Sequence, residues 1–135
     1  MSAETIVNTV LAGNTALAAV VGARIYPGEL PQGCALPAVG ISHISTVPVA
    51  RIDASAPYTL VQSRIEATAI CKDYVTLKDV VKKVRAAANY QRGAIAGFTV
   101  VSITRESTGP DMRDSDLGLY SQSVDLMVTW YEPNP

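Results

Sequence analysis

A chain of 135 residues is the length of one domain on a scale of roughly 100–200 residues each, and its 48% hydrophobic content is enough for one packed core and too much for a disordered chain. Eleven Lys and Arg against twelve Asp and Glu leave a net charge of −1, which excludes the basic excess that a sequence-independent grip on nucleic acid rests on. No apolar run approaches the roughly 18–20 residues of a membrane span, the start Ser2-Ala3-Glu4 does not read as a signal peptide, and Cys34 and Cys71 make neither a disulfide framework nor a CxxC zinc pair, so a soluble intracellular protein is expected.

The first element reads as helix. Ser2 is placed to cap it, Glu4 suits its positive start, and Ile6, Val7, Val10 and Leu11 recur at helical spacing. Gly13-Asn14 interrupts the pattern, and Asn14 recaps a short second helix through Leu17, Ala18 and Val21 that Gly22 ends. Charge is scarce on every face of this segment, so most of it is expected to be covered, by its own core or by a neighbouring subunit. Arg24-Ile25-Tyr26 is a short extended piece, and residues 27–37, with three prolines and two glycines, form a loop.

Ala38 to Thr46 reads as a strand with Val39, Ile41 and His43 on one face, ended by Pro48. Residues 48–58 form a long exposed hairpin loop. Leu60 to Lys72 is the next strand, its face of Val61, Ser63, Ile65, Ala67 and Ala69 small enough to let a helix lie close. That helix is capped by Asp73 or by Thr76, the latter with Val75 and Val80 as a hydrophobic staple. Its stripe is Leu77, Val80, Val81, Val84 and Ala88, it carries an Asp79–Lys83 pair four residues apart, and it ends between Asn89 and Gly93. Phe98 to Glu106 is a strand with Phe98, Val100, Ser102 and Thr104 opposite Thr99, Val101, Ile103 and Arg105. Residues 107–118 form an acidic, turn-rich loop. Leu119 to Tyr131 alternates cleanly and is the longest strand signal, central in the sheet, and the tail Glu132-Pro133-Asn134-Pro135 does not continue it. The order points to one α+β domain over residues 1–135, a mainly antiparallel sheet with helices packed on one face.

Chemistry is sparse. Neither a P-loop nor GxGxxG is present. The single histidine, His43, has Ser42, Ser45, Cys34 or Cys71 as imaginable companions, but nothing identifies the third group that orients a catalytic base, and a packed or hydrogen-bonded strand histidine is the plainer reading. Asp111, Asp114 and Asp116 are spaced too irregularly for a calcium loop and read as a solvated loop. Lys72, Lys78, Lys82, Lys83 and Arg85 lack interleaved aromatics and read as a solvent face. No catalytic residue, metal site or cofactor is expected. Two long polar loops, an under-charged first helix and sheet edges that Thr99, Ser121 and Ser123 protect weakly suit an assembly component.

In residues 16–27, Ala-Leu-Ala-Ala-Val-Val-Gly-Ala-Arg-Ile-Tyr-Pro, and 30–39, Leu-Pro-Gln-Gly-Cys-Ala-Leu-Pro-Ala-Val, the sequence resembles the tail completion, or tail terminator, proteins of long-tailed bacteriophages. Arg64-Ile65-Glu66, the helix from Leu77 to Ala88 and the strand from Tyr120 to Trp130 fit in order and spacing. The resemblance implies a virion protein, made in the bacterial cytoplasm, that forms a ring, commonly a hexamer. It would cap the tail tube and meet the head connector, with DNA passing through its lumen unread and no membrane involved. Within that reading the loops 48–58 and 107–118 are the contact surfaces, and Arg51, Asp53, Asp111, Arg113, Asp114 and Asp116 are candidates for charge pairs across subunit boundaries that set register and specificity. A head-completion or neck adaptor one layer nearer the capsid is the alternative, and a small enzyme or ligand-binding domain around His43 is the reading from another class.

Overall fold

The computed structural model describes residues 3–28, 30, 31, 33, 35–49 and 57–133. Ser2, Cys34, Arg51 and Asp53 lie outside them, and with them most of the 48–58 loop.

Helices α1 (Ala3–Ala12) and α2 (Thr15–Val21) meet at 88°. The bend sits at Gly13-Asn14, where the Asn14 side chain accepts a hydrogen bond from the Leu17 N–H at 2.9 Å and so caps α2. Gly22, at φ +58, ends α2 in a conformation that other residues rarely take. Ala3, Ile6, Val7, Leu11, Leu17 and Val21 are buried, against α3, β1, β2 and each other, so the chain's own core covers the low-charge segment.

The strands are β1 (Ile25–Pro27), β2 (Ala38–Pro48), β3 (Tyr58–Cys71), β4 (Gln91–Ile95), β5 (Phe98–Thr108), β6 (Met112–Asp114) and β7 (Leu119–Pro133), with α3 (Tyr74–Ala88) between β3 and β4. They form one sheet in the order β1-β2-β3-β7-β5-β4, in which only β1 runs parallel to its neighbour. β6 follows β5 along the same border of β7. The helices lie on one face, as an α+β fold of this patterning requires. β7 is the central strand, flanked by β3 over its whole length.

The α3 stripe of Leu77, Val80, Val81, Val84 and Ala88 is buried as its spacing dictates, together with Ala87. It sits over β3 and β7 where Ala67 and Ala69 keep the surface low. Asp73 is the cap, its carboxylate accepting from the Thr76 N–H and hydroxyl at 3.1 Å each. The Val75–Val80 staple does not form, because with the cap at Asp73 Val75 turns outward and is 74% exposed. Asp79 and Lys83 pair at 2.9 Å.

Four readings from the sequence need correction. β4 follows the turn Asn89-Tyr90 and closes a two-residue hairpin onto β5 at Ala96-Gly97, both at positive φ, with Ile95 paired to Phe98. Second, a bulge at Val101 shifts β5 by one residue, so that Val100 and Ile103, not alternate residues, are the buried pair. Third, the 107–118 segment contains the end of β5 and all of β6 rather than loop alone. Fourth, β7 continues to Pro133, where its pairing with Tyr58, Thr59 and Leu60 on β3 continues past its last partner on β5, so a residue without an N–H is tolerated. It follows that Thr99, Ser121 and Ser123 lie on interior strands and guard no edge. The real borders are β4 with the second half of β5 and β6 on one side, and β1 with the distal half of β2 on the other.

Candidate assembly surfaces

Asp111 occupies the short link between β5 and β6, against the first turn of α3. Its carboxylate accepts hydrogen bonds from the Tyr74 hydroxyl at 2.7 Å and from the Lys78 ammonium. Lys78 also donates to Gln122 Oε1 at 3.0 Å, and Gln122 Nε2 donates to the Gly109 carbonyl at 2.7 Å. Tyr74 meets the edge of the Tyr120 ring at 5.8 Å, and Arg113 lies over that ring at 5.5 Å. These contacts join α3, β7 and the β5–β6 link into one clamp. Its hydrogen bonds to α3 join residues 33–44 positions apart in sequence, so no local pattern announces Tyr74, Lys78, Tyr120 or Gln122 as its members.

Beyond the clamp, the chain turns back into β7. Asp114 Oδ1 accepts from the N–H groups of Asp116 and Leu117 at 3.0 and 3.2 Å, and Gly118 at φ +66 completes the turn. The clamp thus holds outward a tip that carries the Asp116 carboxylate with Met112 and Leu117, which are 59% and 69% exposed. Of the sequence-derived candidates, Asp111, Arg113, Asp114 and Asp116 come together here. Asp111, Arg113 and Asp114 are engaged within their own chain, and Arg51 and Asp53 fall outside the described residues.

The Lys78 and Tyr74 hydrogen bonds, in that order, hold the Asp111 carboxyl below its ordinary value of 3.8, and the Asp111 hydrogen bond raises Lys78 above 10.5. A lowered carboxylate contributes above its unfolded value and loses that contribution as pH falls through the folded one; a raised ammonium contributes fully below its unfolded value and loses it as pH rises through the folded one. The clamp is therefore complete between these limits and opens in acid below 3.8. Hydrogen exchange at residues 109–114, corrected for intrinsic rate, is expected to lose protection there in the native chain. Asp111→Asn should show lower protection without that pH dependence, and equal profiles for the two chains would refute the assignment.

The face of the sheet away from the helices carries a polar half, where Arg64 pairs with Asp125 at 2.9 Å and Thr68 with Ser123 at 2.9 Å. At its other end Val47, 60% exposed, and Val49, 39% exposed, stand on the same face as Leu60 and Tyr131.

His43 is on the helix-side face at the sheet border, 2.6 Å from the Thr46 hydroxyl. Thr46 meets Ser63 at 2.9 Å, and Ser63 accepts from the buried Trp130 indole at 3.0 Å. Ser42 and Ser45 take no part, and the Ser63 oxygen is committed to Trp130. Cys71 lies six residues along β3 from Ile65, the partner of His43, about 20 Å of extended chain. Burial, with a smaller push from Asp73, raises its thiol to about 11, so it holds no thiolate at neutral pH. The histidine belongs to a structural hydrogen-bond chain. Among the described residues no group of three or more His, Cys, Asp or Glu is placed to hold a metal ion, and no single helix is long and apolar enough to cross a membrane.

Residues 6–131 match the model of the family described as tail completion protein gp17. The chain belongs to that family. It is a structural protein of the bacteriophage virion tail. Among solved structures, the fold is similar to a chain described as "Virion of native gene transfer agent (GTA) particle", with a TM-score of 0.68 at 16% identity over 95% of this chain and 93% of that one. Comparison with curated protein sequences gives no match.

Proposed function

We propose that this tail completion protein assembles as a ring, a hexamer by its family resemblance, that ends the tail tube and joins it to the head connector while DNA passes through the lumen. Membership of the family across residues 6–131 carries this reading. The net charge of −1 suits a conduit, since a wall that gathered phosphates would retard a moving genome. The clamped tip supports it too: two large apolar side chains held outward beside a carboxylate form a surface better suited to a partner than to water. Asp111, Arg113, Asp114 and Asp116, with Arg51 and Asp53 on the other loop, are the residues proposed to meet the tail tube, the connector or the next subunit.

Light scattering on the purified protein, with electron microscopy of particles carrying a tagged copy, tests this. A multimeric ring with density at the head–tail junction is the expected result. Co-purification with filled heads that lack tails would assign the protein to the neck layer instead. A stable monomer absent from the junction would overturn the proposal.

A further inference from the structure

The sheet has two borders whose described residues leave backbone groups without a strand partner. On β2, β1 covers only Val39, Gly40 and Ile41 and then turns away at Gly28, so residues 42–48 face outward on the side opposite β3. At the other border, which residues 104–108 of β5 and β6 continue, β4 pairs with β5 on one side only. Both stretches are interrupted by a bulge, between His43 and Ser45 and between Gln91 and Gly93. The uninterrupted parts, residues 45–48 and 93–95, contain no charged side chain, which is the usual guard of an edge left in water. On the face away from the helices they present Ser45, Val47 and Ala94, all exposed.

The directions of these borders match. β2 is antiparallel to β3, β3 to β7, β7 to β5 and β5 to β4, so β2 and β4 run the same way. A rotation about an axis along the strands preserves direction, and the next copy in a ring therefore brings its β4 to β2 in parallel. That edge of β2 already takes a parallel neighbour, because β1 pairs with its first part in this sense over three residues. A parallel β4 from a second copy would continue the row that β1 begins, with a ladder of similar length. Pairing one border to the other is heterologous, so it repeats from copy to copy and closes into a ring when the rotation divides a full turn, whereas an edge pairing with itself would stop at a dimer.

We infer that subunits of the ring join through parallel pairing of residues 93–95 of β4 in one copy with residues 45–48 of β2 in the next. The inference rests on the ring reading and specifies its interface. The bulges and Pro48 limit the ladder to a few residues, so backbone hydrogen bonds give direction and register, and the apolar ends of adjacent sheets supply the buried area. Val47 of one copy then stands beside Ala94 of the other, joining two exposed borders into one covered strip.

Cysteine cross-linking tests this in the full chain carrying Cys34→Ser, with the buried Cys71 retained. Neighbouring strands lie about 4.7–4.9 Å apart, within the reach of a disulfide. The double variants Ser45→Cys/Ala94→Cys and Val47→Cys/Ala94→Cys cover the two outward positions on β2, and mild oxidation of the assembled protein is read on a non-reducing gel. One of them is expected to give a ladder of multimers ending at the mass of the wild-type ring, while each single variant stays monomeric on the gel. In parallel, Val47→Asp and Ala94→Asp, which alter exposed positions, should weaken assembly at least ten-fold in light scattering while the far-UV circular dichroism of the folded subunit is unchanged. A wild-type ring with no ladder from either double variant and full assembly of both aspartate variants overturns the pairing and leaves the ring standing. Dimers from a single-cysteine variant overturn it in favour of a self-pairing edge. A wild-type chain that is monomeric both in solution and on tail tubes overturns the ring and the pairing together.

Discussion

Trp130→Ala is expected to lower the unfolding free energy by about 3–5 kcal/mol, the range for removing a large aromatic from a packed core. Trp130 is the largest fully buried side chain, 1% exposed, on the central strand between Val61 of β3 and Val100 of β5. Phe98 meets its ring edge-on at 5.0 Å. Its indole N–H donates to Ser63, and if Ser63 then donates to Thr46 and Thr46 to His43 Nε2, every group in the chain is satisfied. Alanine removes the ring and opens a cavity where three strands meet. Trp130→Phe keeps most of the volume and is expected to cost about 1–3 kcal/mol, chiefly through the lost donor to Ser63. Urea unfolding followed by far-UV circular dichroism, with an unchanged m-value, measures both. A cost below about 1 kcal/mol for the alanine variant would mean that the sheet collapses onto the vacated space, contrary to the packing described here.

The elements that could be read from the sequence are those whose pattern is local and uninterrupted. The α3 stripe repeats at helical spacing over four turns, and β3 and β7 alternate without a break along their registered length, so their faces follow from parity alone. The Asn14 cap and the Gly22 stop are equally local. Parity fails where one residue is inserted. The bulge at Val101 puts Val100 and Ile103 on the same face, and nothing in the composition of Thr99-Val100-Val101-Ser102 marks the insertion. β4 was hidden for another reason: Arg92-Gly93-Ala94 has weak strand propensity, and the two-residue turn that makes it a hairpin places Ala96, not the usual Asn or Asp, at positive φ. The acidic spacing of 107–118 pointed to a surface segment, and it is one. What fixes its posture is the Gln122 bond to Gly109 together with the long-range hydrogen bonds that Tyr74 and Lys78 donate to Asp111, which exist only once α3 is laid across the sheet. Thr99, Ser121 and Ser123 fall on interior strands for the same cause, since which strands are outermost depends on pairing order rather than on any strand's own composition.

Gln122 provides the way to separate the posture of that segment from the stability of the fold. It is 8% exposed, one of two buried polar side chains among the described residues, and both ends of its amide are used: Oε1 by Lys78 and Nε2 by the Gly109 carbonyl. Gln122→Leu keeps much of the volume but deprives Gly109 of its donor and Lys78 of one acceptor, at a cost of about 1–3 kcal/mol. The loss is concentrated at one place. β6 pairs with β7 over only three residues, so once the Gly109 carbonyl loses its donor the tip that bears Met112, Asp116 and Leu117 rests on that short ladder, the Gly109 N–H bond to the Ser123 carbonyl, the Asp111 contacts and Arg113 over the Tyr120 ring. Hydrogen exchange is expected to rise at residues 109–118 while α3 and the centre of β7 keep their protection. If that tip meets the tail tube or connector, Gln122→Leu must also reduce the joining of heads to tails by more than its stability cost explains. Trp130→Phe, with a similar cost placed in the core at the other end of the sheet, is the control. A larger deficit in infectious particles for Gln122→Leu than for Trp130→Phe at equal residual stability places the 107–118 segment in the joint. Equal deficits would mean that joining follows stability alone, and the contact would then have to be sought on another surface of the subunit.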